Sequence, residues 1–301
     1  MLFKSKEEKK QEEQQLAEVA AKGALWRDVL SRFLRTKTGV FGFFIIVILL
    51  FLVIFAPFLT KYKYDKQSFP EAFTYPCKEH IFGTDDFGRD TFCRILYGGR
   101  TSLLVSFIAT CISALGGIVL GAVAGYFGGV VDLILSRILE IIMSIPGLLL
   151  AIAISAALGS GPFNTALAIS FGGIAGSARL IRATVMSIKS NEFVEGARSY
   201  GAGHTRIIFS HILPNCIAPL FIHLAGSIGS GIMVIAGLSF LGLGVKPPTP
   251  EWGAMLNAGR AYIRDFWPMI FFPAIFILLT ILAFNLLGDA LRDALDPRLK
   301  D

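Results

Sequence analysis

Residues 141–178 read IIMSIPGLLLAIAISAALGSGPFNTALAISFGGIAGSA and contain no Asp, Glu, Lys or Arg. A hydrocarbon layer about 30 Å thick is crossed by about 20 apolar residues of helix. This stretch is too long for one such helix, and Gly159-Ser160-Gly161-Pro162 stands at its middle. Gly and Pro punctuate helices, so the stretch reads as two spanning helices joined by a tight turn.

Working outward, residues 38–60, 101–131, 207–245 and 266–288 are equally free of fixed charge. The expected helices are then six, at about 39–59, 101–126, 138–158, 163–183, 214–237 and 267–288. The whole chain is 54 % hydrophobic and 17 % charged, whereas soluble domains carry about 25 % charged residues. Disorder, a collagen, a disulfide-rich secreted module and a soluble enzyme are excluded together. The fold class is all-α, a polytopic membrane protein with six transmembrane helices. Lys and Arg favour the cytoplasmic side. With both termini inside, eighteen of them fall on that side and ten outside, seven of the ten in the loop after the first helix.

That orientation divides the chain into a cytoplasmic tail with an interfacial helix (1–37), a first span (38–60) and an extracytoplasmic loop (61–100). A five-helix core (101–290) containing a cytoplasmic loop (184–213) follows, then a cytoplasmic tail (291–301). The polar residues ahead of the first span are too many for a secretory signal, so Val40–Leu59 reads as a retained anchor. Residues 4–22, mixed in Glu, Lys and Gln, read as a solvated helix. Trp26, Val29, Leu30, Phe33 and Leu34 then share a helical face beside Arg27, Arg32 and Arg35, a pattern for lying in the membrane interface; a positive anchor that only fixes topology is the alternative.

Gly117, Gly121, Gly125 and Gly129 recur every four residues, as do Gly172 with Gly176 and Gly226 with Ser230. Small residues at that spacing let helix backbones approach closely in lipid; static packing and a sliding surface both fit. Fixed charges such as Arg137, Glu140, Arg179 and Arg182 stand only near span ends. Ion-coupled carriers usually place ionisable groups at mid-membrane, so their absence fits a pathway powered from elsewhere. No phosphate-binding loop, zinc-protease or nucleophile-elbow motif is present. His80, His204, His211 and His223 are scattered, which leaves no expected catalytic or metal site. Cys111 and Cys216 fall in spans, while Cys77 and Cys93 share a loop and leave a disulfide open.

The richest segment joins the fourth and fifth spans. Glu192 and Glu195 open a short helix where the macrodipole favours anions, and Phe193, Ala197 and Tyr200 share one face. Gly201 is a stop signal. A helix so short is marginal alone and calls for a docking surface, in which small Gly196 and Ala197 would seat deeply. Glu195-Gly196-Ala197, then Gly201, then His211-Ile212-Leu213-Pro214 resembles the EAA loop of ABC importer permeases, with Gly196 for the first Ala and His211 for Ile. The His-Ile-Leu-Pro-Asn form is similar to the peptide and nickel importer branch. Phe82–Asp90 with Arg94, Leu238–Gly244 with Pro247–Gly253, and Asn285–Arg298 resemble its DppC/OppC-type subunit.

The resemblance implies an ABC type I importer permease fold in a bacterial inner membrane. It implies a homologous second permease of DppB/OppB type, two ATPase subunits carrying ATP and Mg, and an extracytoplasmic peptide-binding protein, with no cofactor on this chain and no nucleic acid. Glu195, Gly196, Ala197, Gly201, Leu213 and Pro214 would couple to the ATPases. Asp85, Arg89, Asp90 and Arg94 would scaffold the outer surface or meet the binding protein. In that segment Asp86 or Asp90 caps a helix, Phe92, Ile95 and Leu96 lie on the membrane, and Arg89 and Arg94 face water. The expected cargo is di- or oligopeptide. Nickel, a nickel chelate or glutathione is the alternative cargo, and an ATP-independent carrier or channel the alternative mechanism.

Overall fold

The structure, a computed structural model, describes residues 30–295. The helix expected over 4–22, Trp26 and Val29 of the interfacial face, and residues 296–301 lie outside that range; residues 30–35 are helical. All regular structure among the described residues is helical, apart from one isolated bridge between Thr84 and Asp90. The main elements are α1 (Lys37–Ile54), α2 (Thr91–Phe127), α3 (Gly129–Ser144), α4 (Gly147–Leu158), α5 (Pro162–Lys189), α6 (Glu192–Ser199), α7 (Leu213–Phe240), α8 (Trp252–Gly259) and α9 (Pro268–Leu295). α9 runs on through Asp289 and Arg292, past the end expected at about residue 288.

α2 is one unbroken helix of 37 residues, about 55 Å long at 1.5 Å per residue. It begins ten residues before the expected start, because Asp90 caps it: the Asp90 Oδ1 accepts from Cys93 N at 2.7 Å. The expected outer loop therefore ends at Asp90. Its charged first turns hid the helix in the sequence. Arg94 pairs within the protein, and Arg100 donates to the carbonyls of Val53 and Ile54 at 2.8 Å, tying α2 to the end of α1. α2 stops at Gly128 and Gly129, whose φ values of +68° and +52° turn the chain into α3.

The expected helix 138–158 is broken. α3 and α4 meet at 90° across Ile145-Pro146, where proline restricts the residue before it and ends the helical run. Among the described residues four helices (α1, α2, α7 with the turns before it, and α9) are long and apolar enough to cross a membrane, or five if α3 and α4 form one bent span. α5 has the length for a sixth, at 28 residues, but its Gly, Ser and Ala content makes it less apolar. Large apolar side chains on the outside of these helices, among them Phe41, Phe44, Leu104, Phe107 and Ile141, stay exposed, as suits lipid.

The largest packing surface joins α2 and α5. Gly121 and Gly125 seat against Ile181 and Val185 so closely that an added Cβ would come within 2.8 and 2.9 Å of their Cβ atoms, and Gly117 lies against Ser177 and Ala178. In lipid, where helices gain little from hiding apolar surface, such backbone approach supplies the attraction. The other glycine pairs behave differently. Gly129 is the corner just described, and Gly172, Gly176 and Gly226 meet nothing within 4 Å at the Cβ position.

Candidate functional site

α6 hangs from one end of the bundle on a single buried side chain. Val194 is fully buried and packs with Tyr126 of α2, Ile181 and Val185 of α5, and Ile207, Ile212 and Cys216 at the approach to α7. The opposite face looks outward: Phe193 is 46 % exposed and Tyr200 95 %, with half-buried Ala197 between them. Glu192 and Glu195 lie exposed in the first turn. An amphipathic helix that turns two aromatic rings away from its own protein has its apolar demand unmet.

Gly201 ends α6 with φ +79°. Ala202 N donates to Ala197 O at 3.1 Å and Gly201 N to Arg198 O at 3.0 Å, the paired bonds of a Schellman stop. Gly196 is half-buried and a Cβ there would meet nothing within 4 Å, so no contact among the described residues requires its small size. Leu213 packs partly buried against the Val194 cluster, while Pro214 is exposed in the first turn of α7. Pro214 lacks the N–H an α-helix would direct at Ser210, and the chain just before it, Ile207–Ile212, is wound as a π-turn.

Sequence reasoning missed the residues that fasten this loop. The Tyr126 hydroxyl lies 2.8 Å from His204 Nδ1. Lys189 Nζ donates to the Tyr126 carbonyl at 2.6 Å and sits 5.7 Å above its ring. The loop is thus held at both ends, before α6 by Lys189 and after it by His204, to the last turn of α2. The pairs are 63 and 78 residues apart, so no local spacing signals them.

At the opposite end of α2, Asp85, Arg89, Asp90 and Arg94 form a buried network. Arg89 is 7 % exposed and Arg94 6 %, which overturns the expectation that they face water. Ile95 and Leu96 are likewise fully buried in protein, not laid on a membrane surface, and Ile95 O accepts from Trp252 Nε1 at 2.9 Å. Phe92 packs edge-on against Phe82. The physical reason is charge pairing, since buried guanidinium groups need a counter-ion and full hydrogen bonding. Asp85 Oδ2 is 2.6 Å from Arg89 Nε and 3.4 Å from Arg94 Nε, and its Oδ1 accepts from Phe87 N and Arg89 N. Arg94 also donates to Tyr64 O at 3.1 Å. Asp90 Oδ2 meets His80 Nδ1 at 2.8 Å, with Tyr62 stacked on the His80 ring. Asp86 stands beside this network with a buried Oδ1 that lacks a hydrogen bond. Burial, and next the Asp85 carboxylate, push its acid above the usual carboxylate range.

All four cysteines are free: Cys93 is buried with its thiol donating to Tyr62 O at 3.2 Å, and Cys77 is exposed. Among the described residues no three His, Cys, Asp or Glu side chains converge as metal ligands would.

Residues 117–301 match the family model described as "Binding-protein-dependent transport system inner membrane component", and residues 24–76 match "N-terminal TM domain of oligopeptide transport permease C". The chain is 42 % identical to the dipeptide transport system permease protein DppC of Alkalihalophilus pseudofirmus, over 91 % of this chain and 90 % of that one. It is 41 % identical to the glutathione transport system permease protein GsiD of Pectobacterium atrosepticum, over 91 % and 92 %. It is 37 % identical to the oligopeptide transport system permease protein OppC of Bacillus subtilis, over 92 % and 91 %. Among solved structures, an inward-facing MetNI methionine ABC transporter matches with a TM-score of 0.55 at 15 % identity, over 67 % of this chain and 96 % of that one. That likeness concerns the fold.

Proposed function

Because the chain belongs to the family of binding-protein-dependent transport system inner membrane components, we propose that it is one permease of an ATP-driven importer of di- and oligopeptides. It sits in the inner membrane with a homologous second permease, two ATPase subunits at the cytoplasmic face and a peptide-binding protein outside. Both termini are cytoplasmic, and α5 completes six spans. This chain carries no catalytic site; ATP and Mg are used on the partner ATPases.

The observation that carries the reading is α6, a short helix anchored by Val194 with Phe193 and Tyr200 turned outward. That face is the cytoplasmic docking surface for an ATPase subunit, with Glu195, Gly196 and Ala197 at the contact. Closure of the ATPases on ATP moves α6. The cluster around Val194 passes the movement to α2 and α5, which are packed backbone to backbone along the Gly117–Gly125 stripe. Nucleotide can shift such an equilibrium only by binding the two states with different affinity, and docking to α6 is where that difference enters this chain. Asp85, Arg89, Asp90 and Arg94 act as scaffold at the outer end of α2, since their charged atoms are spent inside the protein, Asp85 on both arginines and Asp90 on His80 and Cys93 N.

Reconstituting the permease pair in vesicles with the binding protein, with and without ATPases and ATP, tests the reading. Uptake of dialanine or trialanine that needs both supports it. Equal flux by the permeases alone would make the chain a self-sufficient carrier or channel and end the proposal. The 41 % identity to a glutathione permease makes glutathione the cargo to run in parallel.

A further inference from the structure

Two of the glycines that do not pack against a helix, Gly172 and Gly176, open onto a groove of about 290 Å³ between α2, α4, α5 and α7. Gly172 and Gly176 of α5 form one wall, and nothing among the described residues lies within 4 Å of where their Cβ atoms would be. Across it, His223, Ser227 and Ser230 follow one another along a face of α7 at helical spacing. The Ser227 and Ser230 hydroxyls donate to their own helix, to His223 O at 2.8 Å and Gly226 O at 3.1 Å, and keep lone pairs free toward the groove.

Two side chains stand apart. Thr110 of α2 is 6 % exposed, lines the groove, and its hydroxyl has no hydrogen-bond partner among the described residues. The oxygen itself is not sealed off in the protein, so it is open to a polar group that enters the groove. His223 is half-buried, and its ring too makes no hydrogen bond or ion pair among the described residues. An ionisable side chain inside a membrane-spanning helix is rare and usually marks a substrate or ion pathway. The groove holds no Asp, Glu, Lys or Arg.

We propose that this groove is a wall of the translocation path, where Thr110 and His223 hydrogen-bond to the main-chain amides of a peptide in transit. The inference rests on the peptide-importer reading and deepens it. The chemistry selects the main chain. A threonine hydroxyl and a neutral imidazole each donate and accept, matching the N–H and C=O that every peptide carries. The walls bare of side chains at Gly172 and Gly176 leave room for peptide side chains of differing size. The lack of fixed charge leaves nothing to trap or repel a charged peptide. A surface of this kind passes peptides according to their backbone and leaves discrimination to other components.

The test uses the complete complex in vesicles, with binding protein, and reads peptide delivered per ATP hydrolysed for dialanine and trialanine. Thr110→Val and His223→Ala each lower that ratio about three- to tenfold, the size of one lost hydrogen bond. Thr110→Ser and His223→Gln, which keep hydrogen-bonding groups, restore it, whereas a purely packing role would not follow that pattern. Gly176→Leu, which fills the groove, stops uptake while the second permease still co-purifies. If it instead sheds the second permease, the groove is a seat between permeases and the proposal falls. Uptake ratios within about twofold of wild type in all three loss variants would also overturn it. Wild-type complex that moves no peptide contradicts the importer reading itself, and is scored before any variant. A second measurement needs no loss of function: on a Cys77→Ser background, maleimide labelling of Ser230→Cys is slowed by trialanine during turnover. Labelling indifferent to peptide would overturn the assignment.

Discussion

The Tyr126 hydroxyl and His204 Nδ1, 78 residues apart in sequence, stand 2.8 Å from each other at the end of the 37-residue helix α2. Lys189 grips the same tyrosine from the other side of α6. The loop is therefore tied to the longest helix on both sides of α6, which is the route by which the proposed mechanism would carry a displacement of α6 to α2. Tyr126→Phe keeps the ring in its cluster and removes the hydroxyl, at a cost of about 1 kcal/mol. The complex assembles, hydrolyses ATP and delivers less peptide per ATP. Unchanged delivery would take this contact out of the coupling route.

Gly201 is a backbone requirement with no steric part, since its φ is +79° and a Cβ would meet nothing within 4 Å. Gly201→Val costs about 1–2 kcal/mol of left-handed strain and frays the end of α6, whereas Gly201→Asn is milder. Uptake in vesicles is expected to fall in the order Gly, Asn, Val, with membrane insertion unaffected on fractionation.

Asp85 is the shared counter-ion of two buried arginines. Asp85→Ala leaves both guanidinium groups without it, a loss of about 3–5 kcal/mol for a buried pair. The measurement is yield and melting temperature of the purified complex. Both fall, while the exposed-surface control Glu79→Ala changes neither.

Asp86 carries the opposite sign. Its acid is raised by burial above the ordinary value of 3.8, so the folded state holds the proton more tightly than the unfolded chain. The resulting stabilisation is complete below the unfolded pKa and is lost as pH rises through the folded one. Asp86→Asn removes this dependence. The variant melts higher than wild type at pH 7, and the gap closes as pH drops toward 4. A gap that widens on acidification would reverse the assignment.

Much of this was legible in the sequence. Uncharged runs located α1, α2, α5, α7 and α9, and Glu192, Phe193, Tyr200 and Gly201 marked the start, outward face and stop of α6. What escaped was compensated elsewhere in space. Arg94 and Arg100 made the first turns of α2 look like loop, because the Asp85 carboxylate and the Val53 and Ile54 carbonyls that satisfy them arrive from other segments. Pro146 lies in an uncharged run whose more obvious punctuation is Gly159–Pro162, yet it is at Ile145-Pro146 that the helix breaks by 90°. Equal spacing made all the glycine pairs look alike. Only the neighbouring helices distinguish Gly117, Gly121 and Gly125, which pack, from Gly172 and Gly176, which face an open groove. A count of fixed charges also passed over His223.

In the proposed mechanism energy enters this chain through α6. The most direct measurement is peptide uptake and ATP hydrolysis recorded together in vesicles carrying the full complex with Glu195→Arg. Glu195 is exposed and its carboxylate has no partner among the described residues for reversal to disturb, so the change acts at the docking face. The expected result is an assembled complex whose peptide delivered per ATP falls at least about tenfold, as for loss of a polar contact buried at an interface. A wild-type ratio in that variant would contradict it.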